Sequence, residues 1–84
     1  MAYELIYTKS ARRDIKKLDP VAQKKLAKNL ERLRQKPFFY AQKLLWHQLG
    51  GYRYRVGNYR VIFDIRGKKI IILRVGHRRG IYRG

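Results

Sequence analysis

The hydrophobic positions of this chain change period twice. Tyr3 to Tyr7 (Tyr-Glu-Leu-Ile-Tyr) is short, aromatic and branched, and predicts a first strand. Ala11, Ile15 and Leu18 then fall at i, i+4 and i+7, which predicts an amphipathic helix from about Lys9 to Leu18, capped by Thr8 or Ser10. Arg12, Arg13, Lys16 and Lys17 turn outward on it. Asp19-Pro20 restarts the pattern, because Asp is a favoured N-cap and Pro a favoured first helical residue. Ala22, Leu26, Leu30 and Leu33 make the buried stripe of a second helix that begins at Pro20 and ends at Lys36-Pro37, and Lys24, Lys25, Lys28 and Arg32 make its wet face. Phe38 to Gly51 is too apolar for solvent yet keeps neither period, and reads as a packed connection closing one end of the core.

From Gly51 to Phe63 the period is two. Tyr52, Tyr54 and Val56 alternate with Arg53 and Arg55, and after Gly57-Asn58 the alternation resumes as Tyr59, Val61 and Phe63 against Arg60 and Ile62. Gly-Asn between two such runs reads as a two-residue hairpin turn, since both residues tolerate positive φ. Counting outward, Val56 faces Tyr59, Arg55 faces Arg60, Tyr54 faces Val61, Arg53 faces Ile62 and Tyr52 faces Phe63. One face is then aromatic and aliphatic, and the other carries three arginines. Arg66-Gly67-Lys68 turns the chain into a further strand, Ile70 to Val75. A three-residue turn puts Ile71, Leu73 and Val75 on the core side and Arg74 beside Arg60, whereas a two-residue turn reverses both. The first is favoured because it buries aliphatics in place of Arg74. The expected architecture is α+β in one domain spanning 1–84: an N-terminal strand, a helical hairpin, then a three-stranded antiparallel meander, with the helices packed on one face of the sheet.

Charge sharpens this picture. The chain of 84 residues holds 22 Lys and Arg against 5 Asp and Glu, a formal +17, which implies a polyanionic partner, either nucleic acid or an acidic protein. The basic residues are spread over helices and strands, which argues against a membrane-surface segment, and no stretch is long and apolar enough to span a bilayer. With no cysteine and no long apolar leader, a cytoplasmic protein is expected. Two histidines without cysteine or clustered acids make a metal site improbable, and no cofactor is expected. Like charges directly opposed in an antiparallel pair are destabilising, so Arg55 across from Arg60 is a poor choice for stability alone. A phosphate would resolve the conflict, since guanidinium offers it a planar fork of donors. The alternative is a solvated basic face on a protein that is basic throughout.

These residues resemble the RelE/ParE superfamily of toxin-antitoxin toxins, and within it look most like the RelE ribosome-dependent mRNA endoribonucleases. The resemblance is carried by the early strand, the Leu-rich helical hairpin ending in Lys36-Pro37-Phe38, the approach from Leu44 to Gly51, the Tyr-Arg-Tyr-Arg-Val-Gly-Asn-Tyr-Arg-Val-Ile-Phe block, and Val75-Gly76-His77-Arg78-Arg79 followed by Tyr82. It implies mRNA cleavage in the ribosomal A site and neutralisation by a RelB-like antitoxin whose extended segment wraps the toxin. Arg53 and Arg55 sit where members place basic residues on the first hairpin strand, some of them lysines. Arg60 matches the basic residue of the second strand, Arg78 the one after the last strand, and Tyr82 the tyrosine near the C-terminus.

The implied reaction is transesterification, in which the ribose 2′-hydroxyl attacks the adjacent phosphate, leaving a cyclic phosphate and a free 5′-hydroxyl. It needs a base, an acid and stabilisation of a phosphorane, and no metal in principle. Arg55, Arg60 and Arg78 suit the last task. Arginine stays protonated, so Arg53 and Arg55 are poor general bases where lysine could serve with a lowered pKa. His77, which titrates near neutrality, is the first candidate for proton transfer, and Tyr82 the second, as an acid or as a platform for a base. His47, beside Trp46, reads as structural, and Asp64 as the partner of a sheet arginine. Lys24, Lys25, Lys28, Arg32, Arg74 and Arg79 would contact RNA, the helix lysines tracking rRNA phosphates. Two other readings stay open: a ParE-like inhibitor of DNA gyrase, and a basic nucleic-acid-binding protein without catalysis.

Overall fold

The computed structural model describes residues 2–43 and 51–77. β1 (Glu4–Tyr7) leads through Thr8 into α1 (Lys9–Lys16), and Asp19 starts α2 (Pro20–Gln35). Both helix starts are capped, with Thr8 Oγ1 accepting the Ala11 N–H at 3.1 Å and Asp19 Oδ1 the Ala22 N–H at 2.7 Å. A single turn, α3 (Pro37–Tyr40), and a two-residue strand, β2 (Gln42–Lys43), precede the meander of β3 (Tyr52–Val56), β4 (Tyr59–Arg66) and β5 (Lys69–His77). The sheet order is β1-β5-β4-β3-β2, with β1 parallel to β5 and the other pairs antiparallel. The α+β class and the one-sided helical layer are as expected from the sequence.

The helices cover the aromatic face. Ala11, Leu26, Leu30 and Leu33 pack on Tyr54, Val56, Val61, Phe63, Ile70, Ile72 and Val75, all buried. Each fully buried aliphatic of this kind contributes roughly 1.5–3 kcal/mol relative to exposure. The hairpin is clasped where Gln23 Nε2 donates to the Ile15 carbonyl at 2.8 Å, and α2 is tied to β1 by Tyr3 N donating to Arg34 O at 2.8 Å and Arg34 Nε to Tyr3 O at 3.0 Å.

The second turn corrects the sequence reading. Arg66 pairs with Lys69, so only Gly67-Lys68 turns, with Gly67 at φ 58, a conformation that glycine adopts without steric cost. A uniform strand would then have turned Val75 away from the helices. Instead a bulge opposite Ile62 and Phe63 inserts Leu73 as an extra residue, so Ile70 and Ile72 point to the core before it and Val75 after it. Ile71 and Leu73, expected in the core, are only half-buried. Arg74 lands on the arginine face opposite Ile62, not opposite Arg60, whose partner is Gly76.

The bulge is held by the residues that start α1. Thr8 N donates to Ile72 O at 3.1 Å, and its hydroxyl is shared between Ile72 O at 3.1 Å and Leu73 O at 3.0 Å. Asp14 Oδ2 accepts the Val75 N–H at 2.9 Å. Of these polar atoms, Leu73 O and Val75 N lie past the β1 ladder, which ends at Ile72, and Thr8 and Asp14 partner them in its place. Thr8→Val keeps the shape and removes both the cap and the hydroxyl donation. It is expected to lower unfolding free energy by about 2 kcal/mol in urea titration, with Thr8→Ser losing much less. An unchanged midpoint for Thr8→Val would contradict this role.

Candidate nucleic-acid interface

The Gly57-Asn58 turn fixes the hairpin register residue for residue as counted from the sequence, with Gly57 at φ 59. Arg55 directly faces Arg60, and Arg53 faces Ile62. Arg55 is exposed and has no hydrogen-bond or ion-pair partner among the described residues. Arg60 is half-buried and donates through Nη1 to the carbonyls of Gly57 at 3.1 Å and Tyr59 at 3.0 Å. Arg53 Nε is held by Gln42 Oε1 at 3.0 Å. None of the three has a carboxylate partner among the described residues, so all three keep their full charge toward a ligand. Gln42, which sequence reasoning missed, positions Arg53 because β2 pairs Gln42 with it. That short edge strand has no pattern of its own to reveal it.

This face is less open than its pattern implies. Ile62, between Arg53 and Arg74 across the strands, is fully buried, whereas Arg55 toward the Gly57-Asn58 turn is exposed and Arg53 and Arg60 are half-buried. Among the described residues Asp64 pairs with no arginine. Its Oδ1 accepts the Gly51 N–H at 2.8 Å and fixes the entry to β3.

Arg74 differs from the ribbon arginines. Its Nε and Nη2 donate to the two Asp14 oxygens at 2.8 and 3.2 Å, and this forked hydrogen bond raises its pKa. The same carboxylate holds the Val75 N–H, so Arg74 joins α1 to β5. His77, the first candidate for proton transfer, is not brought to the arginines. It pairs with Tyr59 and shares the helix-side face with Val75, its ring edge-on to Tyr59 at 6.0 Å. There it helps line a cavity of about 270 Å³ with Asp14, Lys17 and Leu18. A strand end reverses face with every residue, and the bulge decides that parity. Arg78, Arg79, Tyr82 and His47 lie outside the described residues.

Lys24, Lys25, Lys28 and Arg32 are exposed on α2, as the helical period requires. They form a second basic surface on the helical side of the sheet. The two surfaces meet at the hairpin tip, where a Cβ on Gly57 would lie 3.0 Å from Lys25 Nζ. Beneath them, Tyr54 donates its hydroxyl to Asn29 Oδ1 at 3.2 Å, and burial, then Tyr40, raises the Tyr54 pKa. Among the described residues no group of three or more histidine and acidic side chains gathers to hold a metal, and no helix is long and apolar enough to cross a membrane.

A profile of the family described as the ParE toxin of the type II toxin-antitoxin system parDE matches residues 5–82. The chain belongs to this toxin family. Its solved relatives place it in the wider RelE/ParE superfamily. It is similar to a chain of the RelBE2 toxin-antitoxin complex of Mycobacterium tuberculosis, at 30% identity and TM-score 0.84 over 93% of this chain and 100% of that one. A chain of the archaeal RelE-RelB complex of Pyrococcus horikoshii matches at 25% identity and TM-score 0.75, over 93% and 97%. One from the RelB-RelE complex of Methanococcus jannaschii matches at 27% and 0.72, over 92% and 94%. No curated protein sequence matches.

The opposed arginines of this toxin predict a trade between stability and binding. Arg55→Thr removes the like-charge pair and should raise unfolding free energy by a few tenths to about 1 kcal/mol at low ionic strength, while weakening affinity for single-stranded RNA. Added salt should narrow the stability gap. A variant that is less stable at low salt, with RNA affinity intact, would show that Arg55 is structural.

Proposed function

We propose that this toxin is an endoribonuclease that cuts mRNA in the ribosomal A site by metal-independent attack of a ribose 2′-hydroxyl on the neighbouring phosphate. The observation that carries the reading is Arg55 opposite Arg60 with no carboxylate between them, toward the Gly57-Asn58 turn. Two guanidiniums on directly opposed residues favour a phosphate over any neutral group, and a phosphorane, with its extra negative charge, more still. Arg53, oriented by Gln42, would bind the adjoining phosphate. Arg78 and Tyr82, which match family positions, keep the roles expected from the sequence, Arg78 in phosphorane stabilisation and Tyr82 as an acid or as a platform for a base. With His77 on the other face, acceleration rests mainly on charge and on positioning of the 2′-hydroxyl.

The two basic surfaces support the ribosome as the setting. A domain about 22 Å across its thinnest axis, cationic on α2 and on the far side of the sheet, suits enclosure within folded RNA better than one-sided docking on a duplex. Lys24, Lys25, Lys28 and Arg32 would then track rRNA phosphates in the cytoplasm. Each solved relative named above is a complex with its antitoxin, which supports a RelB-like antitoxin as this toxin's partner. The ParE match favours one other reading, inhibition of DNA gyrase.

In a cell-free translation system the protein is expected to cut mRNA within the A-site codon, and Arg60→Ala to slow cutting at least about 100-fold, the usual cost of losing one transition-state donor. Intact message with blocked supercoiling would assign the protein to gyrase instead. Ribosome binding without cutting by the wild type would assign it to non-catalytic RNA binding.

A further inference from the structure

Phe38 and Phe39 are expected from the sequence inside a packed connection, yet they are 62% and 77% exposed on α3. Leaving two phenyl rings in water forgoes burial that each could have contributed to folding. Their surroundings narrow what could cover them. Phe38 is edge-on to Tyr3 at 6.4 Å and to Tyr52 at 6.1 Å, and Tyr52 stacks on Phe63 at 5.7 Å, so the pair is the outer end of an aromatic row rooted in the core. Phe39 touches Tyr40 edge-on at 5.0 Å. Lys68 Nζ lies 5.0 Å from the Tyr3 ring centroid, Lys36 and Lys43 flank the segment, and residues 36–43 contain no acid. One strand away, Gln42 holds Arg53.

Resting on the RNA reading above, we infer that Phe38 and Phe39 form a stacking subsite for an unpaired RNA base on the helix-side face, across the β2 edge from the arginine ribbon. Aromatic rings set among cations are how proteins hold single-stranded nucleic acid, the cations following the backbone and the rings taking the bases. A second copy of this chain is disfavoured by a net charge of +17 on each. A protein helix or sheet needs far more than two rings, since stable interfaces cover about 800 Å² per partner. One or two bases match the size of the patch. Tyr52 belongs to the helix-side face and Arg53 to the other, so an RNA strand bound at Arg53 reaches this patch by crossing the short edge strand β2.

Fluorescence anisotropy with a short single-stranded RNA carrying 2′-deoxy linkages, and so uncleavable, tests this. Phe39 is the residue to vary, because Phe38 also packs on Tyr3 and Tyr52. Phe39→Ala and Phe39→Leu are both expected to weaken binding about tenfold, and Phe39→Trp to retain or tighten it. Wild-type affinity in Phe39→Leu would overturn the inference, because an apolar side chain without a ring would then suffice. So would unchanged RNA affinity in Phe39→Ala together with lost antitoxin binding, which would give the patch to a protein. Arg55→Ala run in parallel separates the two levels. If it weakens binding and the Phe39 variants do not, the subsite fails and the functional reading stands; if it too binds as wild type, the functional reading fails.

Discussion

Parity is the constraint on which the rest of this molecule depends. Because side chains in a strand alternate, a turn of fixed length decides which set meets the helices and which meets the ligand. Gly57-Asn58 makes that decision for β3 and β4 and leaves no freedom in it, since Gly57 sits at φ 59 and the pairs on either side follow. Tyr54, Val56, Val61 and Phe63 are thereby committed to the core, and Arg53, Arg55 and Arg60 to the opposite side. A slip of one residue would bury three guanidiniums and expose the aromatic face, which is far more costly than the repulsion between Arg55 and Arg60. The hydrophobic face thus enforces a charge arrangement that would be unfavourable on its own.

The same logic explains the bulge and what surrounds it. A two-residue turn at Gly67-Lys68 starts β5 with one parity, and the extra residue Leu73 restores Val75 to the core. The irregularity leaves backbone groups without ladder partners, and Thr8 and Asp14 supply them from α1. Asp14 also takes the Arg74 guanidinium, whereas Arg53, Arg55 and Arg60 have no carboxylate partner among the described residues. One acidic side chain thus both supports the bulge and neutralises Arg74. The parity shift has a second effect, in that His77 ends on the helical side beside Tyr59.

Much of this was legible in the sequence, and the exceptions share a cause. Both helices, their caps at Thr8 and Asp19, and the full register of the arginine hairpin follow from local rules: apolar spacing, capping chemistry and glycine at a tight turn. The faces of β5 do not, because a bulge is not marked by any residue type in Ile70 to Val75, and only tertiary contacts with Thr8 and Asp14 select it. The placements of Arg74 and His77 depend on that bulge and were unreadable for the same reason. Asp64 went to a backbone N–H instead of a guanidinium, and Phe38 and Phe39 to the surface, where composition alone argued for burial. The basic character of the interface was evident from charge, but which arginines keep their charge free required knowing where the few carboxylates go.

On the function proposed above, an RNA phosphate docks at the arginines of the β3–β4 ribbon that have no carboxylate partner among the described residues. Side-chain Nε–Hε resonances of arginine, followed by NMR while an uncleavable single-stranded RNA is added, test it most directly. Arg55 and Arg60 should shift first and furthest, while Arg34 and Arg74, already bound to Glu31 and Asp14, stay nearly still. Saturable binding that moves only helix-face residues and leaves Arg55 and Arg60 unchanged would contradict it.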